Sequence, residues 1–244
     1  MGSDEFVTMI LTDACFIIEY VLLRLDKDGW HSKLWSMRKI RTDLILLENQ
    51  LPFFVRKDLF DLTFPNGYND KFSFEFVTFR YFYSTFISRI VPNERLRGRF
   101  TFSYFVQHHL PTLPDGTPQV HHLCDMLRIF HVRLDQLPRE HSGRDMKLIY
   151  TISKLHDAGI KFELNEDEIG LLKLQYSKGV MKIPRIVVSD STEAQLRNLM
   201  AFDKCHFPSP RSMTDYIVYL EHLIRTGKDV EKLEEKGVIE NFIG

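Results

Sequence analysis

The spacing of apolar residues follows the helical period over most of this chain and alternates in one short region. Helices are predicted at about 4–25, 33–41, 52–62, 72–90, 120–134, 146–157, 191–205, 212–226 and 229–236. Strands are predicted at 160–164, 172–176 and 180–183, with 186–188 as a candidate extension. The pattern therefore predicts an α+β fold that is mainly α, a helical bundle-like domain with one small antiparallel β-hairpin or sheet around residues 160–188.

The first predicted helix is apolar nearly all the way round, apart from a narrow polar stripe. A helix of this kind is expected at the centre of a core. Its longest apolar stretch contains Asp13, Glu19 and Arg24, and these charges argue against a membrane span.

A single domain is predicted for residues 1–244, with a loose insertion at about 92–119. The length of 244 residues suits one large domain or two small ones. Six residues in the insertion break regular structure, namely Pro92, Gly98, Pro111, Pro114, Gly116 and Pro118. Such a region is expected to be a surface insertion or an internal linker.

A polar trio separates two apolar blocks near residue 50. The trio consists of Glu48, Asn49 and Gln50. Pro52 follows it and suits the first turn of a helix, since proline lacks an N–H and has a preset φ. We interpret the four residues as a structural motif, a joint whose side chains cap the unpaired N–H groups of the next helix. The alternative is a binding or catalytic role for Glu48.

Composition and charge are those of an ordinary globular domain. Hydrophobic residues make up 44% of the chain, charged residues 27%, and the formal net charge is -1. A chain with this net charge has no overall electrostatic field that would attract nucleic acid or an anionic membrane. Its three cysteines lie far apart without a C-x-x-C pair, which argues against zinc and favours a reducing compartment. No signal-peptide pattern is present, so the chain alone is expected to be soluble and cytoplasmic.

Three carboxylates are candidates for catalysis. Asp13 lies off the polar stripe of the first helix, so it is expected to face apolar surroundings, where burial raises a carboxyl pKa. Its alternative role is a hydrogen-bonded core aspartate. Glu19 is expected to pair with Arg38 or Arg41. An enzyme of unrecognised type would use Asp13, Glu19 or Glu48 in a helical cavity.

Two histidine doublets flank the proline-rich loop, His108-His109 before it and His121-His122 after it. Adjacent side chains diverge, so each doublet offers one ligand easily and two with difficulty. His109 and His122 are thus weak metal-ligand candidates, and no metal or other cofactor is predicted. The aromatic run around 72–86 has few accompanying cations, which favours core packing over nucleic-acid binding.

Several blocks of sequence resemble one plant family. They include 12–19, 122–127, 155–162, 179–184, 190–193, 197–202 and 223–230. The most specific block is Leu-Leu-Glu-Asn-Gln-Leu-Pro-Phe-Phe at 46–54. In type, order and spacing the blocks are similar to the plant domain-of-unknown-function family number 247, over nearly the whole chain.

The resemblance implies a chain cut from a longer protein. Family members usually carry an earlier N-terminal segment and a C-terminal hydrophobic membrane anchor, and this chain is expected to lack both. It implies membrane attachment only through that absent anchor, beside a cytoplasmic-type domain. Together with the lack of a recognisable catalytic motif, it favours a non-enzymatic interaction or recognition module with an unknown protein partner.

Overall fold

The computed structural model describes residues 2–25, 34–91, 93–114, 119–132, 150–166, 172–206 and 212–243. At 34–38 and 212 it describes the backbone alone. The α-helices are α1 Ser3–Leu25, α2 Leu34–Asp43, α3 Phe53–Thr63, α4 Phe74–Phe82, α5 Glu94–Arg99, α6 Phe102–His108, α7 Leu123–His131, α8 Ile152–Asp157, α9 Thr192–His206, α10 Ser212–Leu223 and α11 Gly227–Glu235. The predicted mainly α fold with some β structure is confirmed. The first residues of the helix predicted over 146–157, and the polar stretch 138–144, lie outside the described residues.

The strands form two small sheets. They are β1 Lys161–Leu164, β2 Gln175–Ser177, β3 Val180–Ile183, β4 Ile186–Val188 and β5 Ile239–Asn241. In the first sheet β3 lies between β1, which is parallel to it, and β2, which forms the predicted antiparallel hairpin. Lys178 and Gly179 turn that hairpin with φ of 49° and 78°, the left-handed geometry of a tight hairpin turn.

The candidate extension at 186–188 is wrong. β4 pairs in parallel with β5 in a separate two-stranded sheet, with Val187 opposite Glu240. Pro184 follows β3 directly and has no N–H to donate, so the ladder of the first sheet ends there. The partner strand β5 is contributed by the last residues described.

The main core is built from aromatic side chains on α3, α4, α6 and α7. Phe60, Phe82, Phe105 and Phe130 are fully buried within it. Phe79 packs against Phe130 with ring centroids 5.5 Å apart. The helix predicted over 72–90 is present as α4 followed by a π-helix at Tyr83–Ile87. Its aromatic residues serve core packing, as expected.

Residues 93–110 correct the expectation of a loose insertion. They form α5 and α6, with Asn93 and Thr101 as their N-caps. Leu96, Phe100 and Phe105 are buried in the main core. The N-caps and the apolar residues four or five positions apart therefore stabilise two short helices here. They outweigh the tendency of the nearby prolines and Gly98 to break helical structure.

Helix α1 also differs from its prediction, because it is not central in the core. Its buried residues are Ala14, Ile17, Ile18, Tyr20, Val21 and Leu22. Phe6, Val7 and Phe16 are each about half exposed, at 49%, 50% and 52%. The packing on α3 and α4 is confined to one face of its C-terminal half, so its apolar N-terminal half and Phe16 face solvent.

Among the described helices, α1 has the length and composition to cross a membrane, with a mean hydropathy of 2.0. The charges within it therefore do not exclude a span, contrary to the sequence-based argument. The core helix of a soluble protein and a signal sequence share this profile. Length and hydropathy alone leave all three roles open to α1.

Candidate functional site

The polar trio forms a joint between three helices. Leu47–Asn49 makes a 3₁₀ turn after α2, and Gln50 follows it in extended geometry. The Gln50 amide nitrogen donates to Leu44 O at 2.9 Å and to Leu46 O at 2.6 Å. Its oxygen accepts from Cys124 N, in the first turn of α7, at 3.1 Å. Gln50 thus satisfies one unpaired N–H of α7 while holding its own turn closed.

The predicted capping of α3 by the trio is wrong. Pro52 is the N-cap of α3, and no side chain of the described residues caps that helix. Phe53 N instead donates to the main-chain oxygen of His121 at 2.7 Å. Glu48 and Asn49 are exposed. The extended backbone at Gln50 turns its side chain towards α7 rather than along the chain to α3.

His122 and Asp125 complete the start of α7. The Nδ1 atom of His122 accepts from Asp125 N at 3.1 Å, so this histidine is a helix cap. Asp125 is fully buried and accepts from His121 Nδ1 and Arg128 Nε, each at 2.9 Å. Burial alone would raise the pKa of Asp125, but these hydrogen bonds and the Arg128 charge outweigh it and lower the pKa. The same hydrogen bond raises the pKa of His121.

The two metal-ligand candidates lie at opposite ends of α7. His109 is buried and its Nδ1 lies 3.1 Å from Ile129 O, near the C-terminus of that helix. His122 caps the N-terminus, seven residues earlier, which is roughly 10 Å along the axis. No group of three metal-binding side chains occurs among the described residues. His109 and His122 are therefore not brought together.

The three candidate carboxylates are also kept apart. Asp13 and Glu19 are exposed on α1, and Glu48 is exposed on the 3₁₀ turn. The apolar surroundings expected for Asp13 are absent, because the surface of α1 around it faces solvent. Within the described residues Glu19 makes no ion pair with Arg41, and the Arg38 side chain lies outside the description. None of the three carboxylates lines the cleft that lies between α2, the π-helix and the turn before α9.

A basic cleft of about 600 Å³ lies between α2, the π-helix and the turn that leads from β4 into α9. Its polar lining comprises Lys39, Arg41, Thr42, Asp43, Thr85, Arg89, Ser189, Asp190, Ser191, Thr192 and Gln195. Its apolar lining comprises Phe86, Ile90, Val187 and Phe242. Isolated π-turns of this kind often occur at functional sites, and this one supplies Thr85 and Phe86.

Two arginines of the cleft stack on aromatic rings. The Arg41 guanidinium lies 5.9 Å from the Phe86 centroid, and that of Arg89 lies 5.0 Å from the Phe242 centroid. Neither arginine forms an ion pair with a described carboxylate, and the buried Arg41 Nε has no described hydrogen-bond partner. Burial lowers the pKa of Arg41, and the nearby charges of Arg89 and Arg24 lower it further. The neighbouring Tyr81 and Tyr20 oppose this shift. A partly buried cation with two other cations nearby favours the binding of an anion.

Hydroxyl groups cluster where α9 begins. Ser189 N donates to Thr192 Oγ1 at 2.8 Å, and Gln195 donates to Ser191 Oγ at 2.8 Å. The Ser189 hydroxyl lies 3.2 Å from that of Thr192. This turn adds donors and the N-terminus of a 15-residue helix to the arginine wall. The sequence signals that pointed here were the block at 190–193 and the arginines at 41 and 89, and sequence reasoning did not connect them.

Comparison with known proteins decides the family. The model of DUF247, described as plant protein of unknown function, matches residues 1–244. This chain belongs to the DUF247 family.

Two relatives of this DUF247 chain come from Arabidopsis thaliana. It is 27% identical to the UPF0481 protein At3g47200 over 257 aligned residues, covering 100% of this chain and 52% of that protein. It is 30% identical to the putative UPF0481 protein At3g02645 over 92 aligned residues, covering 37% of this chain and 17% of that protein. The chain thus spans about half the length of the first relative. No solved structure matches it significantly.

Proposed function

We propose that this DUF247 chain is a non-enzymatic recognition module whose basic cleft holds an anionic group of a protein partner. The observation that carries the proposal is the arrangement of Arg41 and Arg89. Both guanidinium groups face one cleft, each is oriented by an aromatic ring, and neither is paired with a described carboxylate. Leaving a partly buried charge uncompensated is unfavourable, and an anionic ligand removes that penalty.

The chemistry of the lining favours binding over catalysis. Among the described residues, those that line the cleft include no histidine or cysteine. The hydroxyls of Ser189, Ser191 and Thr192 lie within hydrogen-bond reach of one another or of Gln195, rather than of a general base. Thr192 donates its hydroxyl proton to Val187 O. The Ser189 and Ser191 hydroxyls serve as hydrogen-bond donors to a ligand, and the arginines supply its counter-charge.

Membrane attachment of longer family members is part of the same proposal. The exposed apolar side chains of α1, with Phe6 and Phe16, form the described surface best suited to lipid. The free thiols of Cys15, Cys124 and Cys205 support a cytoplasmic location for the body of the domain. Co-sedimentation with phosphatidylcholine vesicles tests α1. Phe6→Ser with Phe16→Ser is expected to reduce binding, and equal binding by both proteins would contradict the assignment.

The recognition role is tested by titrating the chain with inorganic phosphate in a calorimeter at low ionic strength. Arg41→Gln and Arg89→Gln are expected to weaken binding, while Arg95→Gln, an exposed arginine on α5 outside the cleft, is expected to leave it unchanged. Absence of binding by the unaltered chain would refute the proposal. Turnover of a metabolite that is lost in a folded cleft variant would identify an enzyme instead.

A further inference from the structure

Three cationic side chains, Lys39, Arg41 and Arg89, line the cleft, beside two carboxylates. Arg24, at the end of α1, is close enough to Arg41 to lower its pKa. Asp43 and Asp190 are exposed where they line the cleft, and neither makes an ion pair with a described residue. Arg41 and Arg89 therefore remain available for a ligand that carries two negative charges.

The number and placement of donors also match a tetrahedral anion. Thr85 lines the cleft together with the hydroxyls of Ser189 and Ser191 at the start of α9. The neighbouring Thr192 hydroxyl donates to Val187 O at 3.3 Å instead. A phosphate monoester presents three acceptor oxygens, against two for a carboxylate, and arginine binds such oxygens in pairs. The N-terminus of α9 adds a favourable dipole next to the Ser189 and Ser191 hydroxyls.

We propose that the cleft binds a phosphorylated serine or threonine in a segment of a protein partner, which rests on the proposed recognition function. The cleft, at about 600 Å³, has room for more than one phosphate group. The remaining space is lined by Phe86, Ile90 and Phe242, which suit the apolar parts of flanking residues. Pocket volumes in this range hold ligands much larger than a single ion.

The acidic residues of the cleft favour a peptide over a lipid headgroup. Asp43 and Asp190 accept hydrogen bonds from peptide N–H groups or pair with a basic flanking residue, and a phosphate headgroup offers neither. The net charge of the whole chain, -1, adds no attraction to an anionic bilayer surface. Both observations point to a phosphorylated protein segment as the ligand.

The test compares three capped amino acids, the N-acetyl methylamides of phosphoserine, glutamate and serine, by calorimetry or NMR titration. Phosphoserine is expected to bind roughly tenfold or more tightly than glutamate, because charge-assisted hydrogen bonds to a third oxygen are added. Arg89→Gln is expected to abolish this preference, and Arg95→Gln to preserve it. Arg89 is exposed, so its substitution leaves folding intact even if Arg41→Gln does not.

The outcomes separate this inference from the proposed function. Equal binding of phosphoserine and glutamate, lost in Arg89→Gln, would overturn the phosphate assignment and leave an anion-recognition module. Failure of inorganic phosphate and of all three capped amino acids to bind would overturn both. A fourth arm uses phosphatidylcholine vesicles with 5% phosphatidylinositol 4-phosphate, about one lipid in twenty. Arginine-dependent binding to these vesicles, without a preference for phosphoserine, would assign the cleft to a lipid instead.

Discussion

Replacing Gln50 by alanine tests whether the specific family motif acts as a structural joint. The substitution removes hydrogen bonds to Leu44 O, Leu46 O and Cys124 N, of 2.9, 2.6 and 3.1 Å. A hydrogen bond contributes roughly 0.5–1.5 kcal/mol net, so three contribute about 2–4 kcal/mol. We expect Gln50→Ala to lower the free energy of unfolding by about 3 kcal/mol, and Tm by about 6–12 °C for a chain of this size.

Neighbouring residues of the motif provide matched controls. Glu48 is exposed without a described hydrogen bond, so Glu48→Gln is expected to change stability by less than about 0.5 kcal/mol. Asn49 makes one exposed hydrogen bond to Asp43 O at 3.1 Å, so Asn49→Ala is expected to cost at most about 1 kcal/mol. The assay is urea unfolding followed by far-UV circular dichroism. If Gln50→Ala unfolds like the unaltered protein, or Glu48→Gln is equally destabilising, the assignment of the joint to Gln50 is refuted.

Three further predictions concern buried or half-buried polar groups. The Asp229 carboxylate accepts hydrogen bonds from Ser153 N, Thr226 N and Thr226 Oγ1 at 2.8–2.9 Å. Asp229→Asn is therefore expected to lower the free energy of unfolding in urea by about 2–4 kcal/mol. The exposed Asp157→Asn is the control and is expected to change it little. Burial lowers the pKa of His122 from 6.5 to about 4, so its contribution to stability is full above pH 6.5 and lost as pH falls towards 4. His122→Asn, which keeps a cap acceptor, should reduce this loss in urea midpoints measured from pH 7 to 4.5; an unchanged slope would contradict it. Asn198→Ala removes the acceptor for the 3₁₀ turn and should cost about 1 kcal/mol while weakening phosphate binding, and unchanged affinity would show that the turn does not position the cleft.

Elements governed by local chemistry were predictable from sequence. The hairpin follows from alternating residues around Lys178 and Gly179, and the end of α11 follows from Gly237, which has a φ of 66°. Both signals lie within a few residues of the structure they produce. Family membership was likewise readable, because it depends on the order of short blocks rather than on their contacts.

Features that depend on distant contacts were not predictable in the same way. Gln50 and Cys124 are 74 positions apart, so nothing local directs that side chain to α7 rather than α3. The position of α1 shows the same limit, since an apolar surface indicates burial without showing what is available to cover it. The cleft draws its lining from four separate segments of the chain, and its two arginines, 48 positions apart (89 − 41), form no sequence motif.

The joint and the basic cleft are mechanically connected although they share no ligand-facing residue. Helix α2 carries Arg41 into one wall of the cleft and then runs directly into the joint. The 3₁₀ turn donates from Leu47 N to Asn198 on α9 at 2.6 Å, and the first residue of α9, Thr192, lies in the opposite wall. Gln50 fixes the same turn to α7, so these hydrogen bonds contribute to the separation of the two walls. Because charge-assisted hydrogen bonds tolerate displacements of only about 0.5 Å, a motif without reactive chemistry can still determine whether the cleft binds.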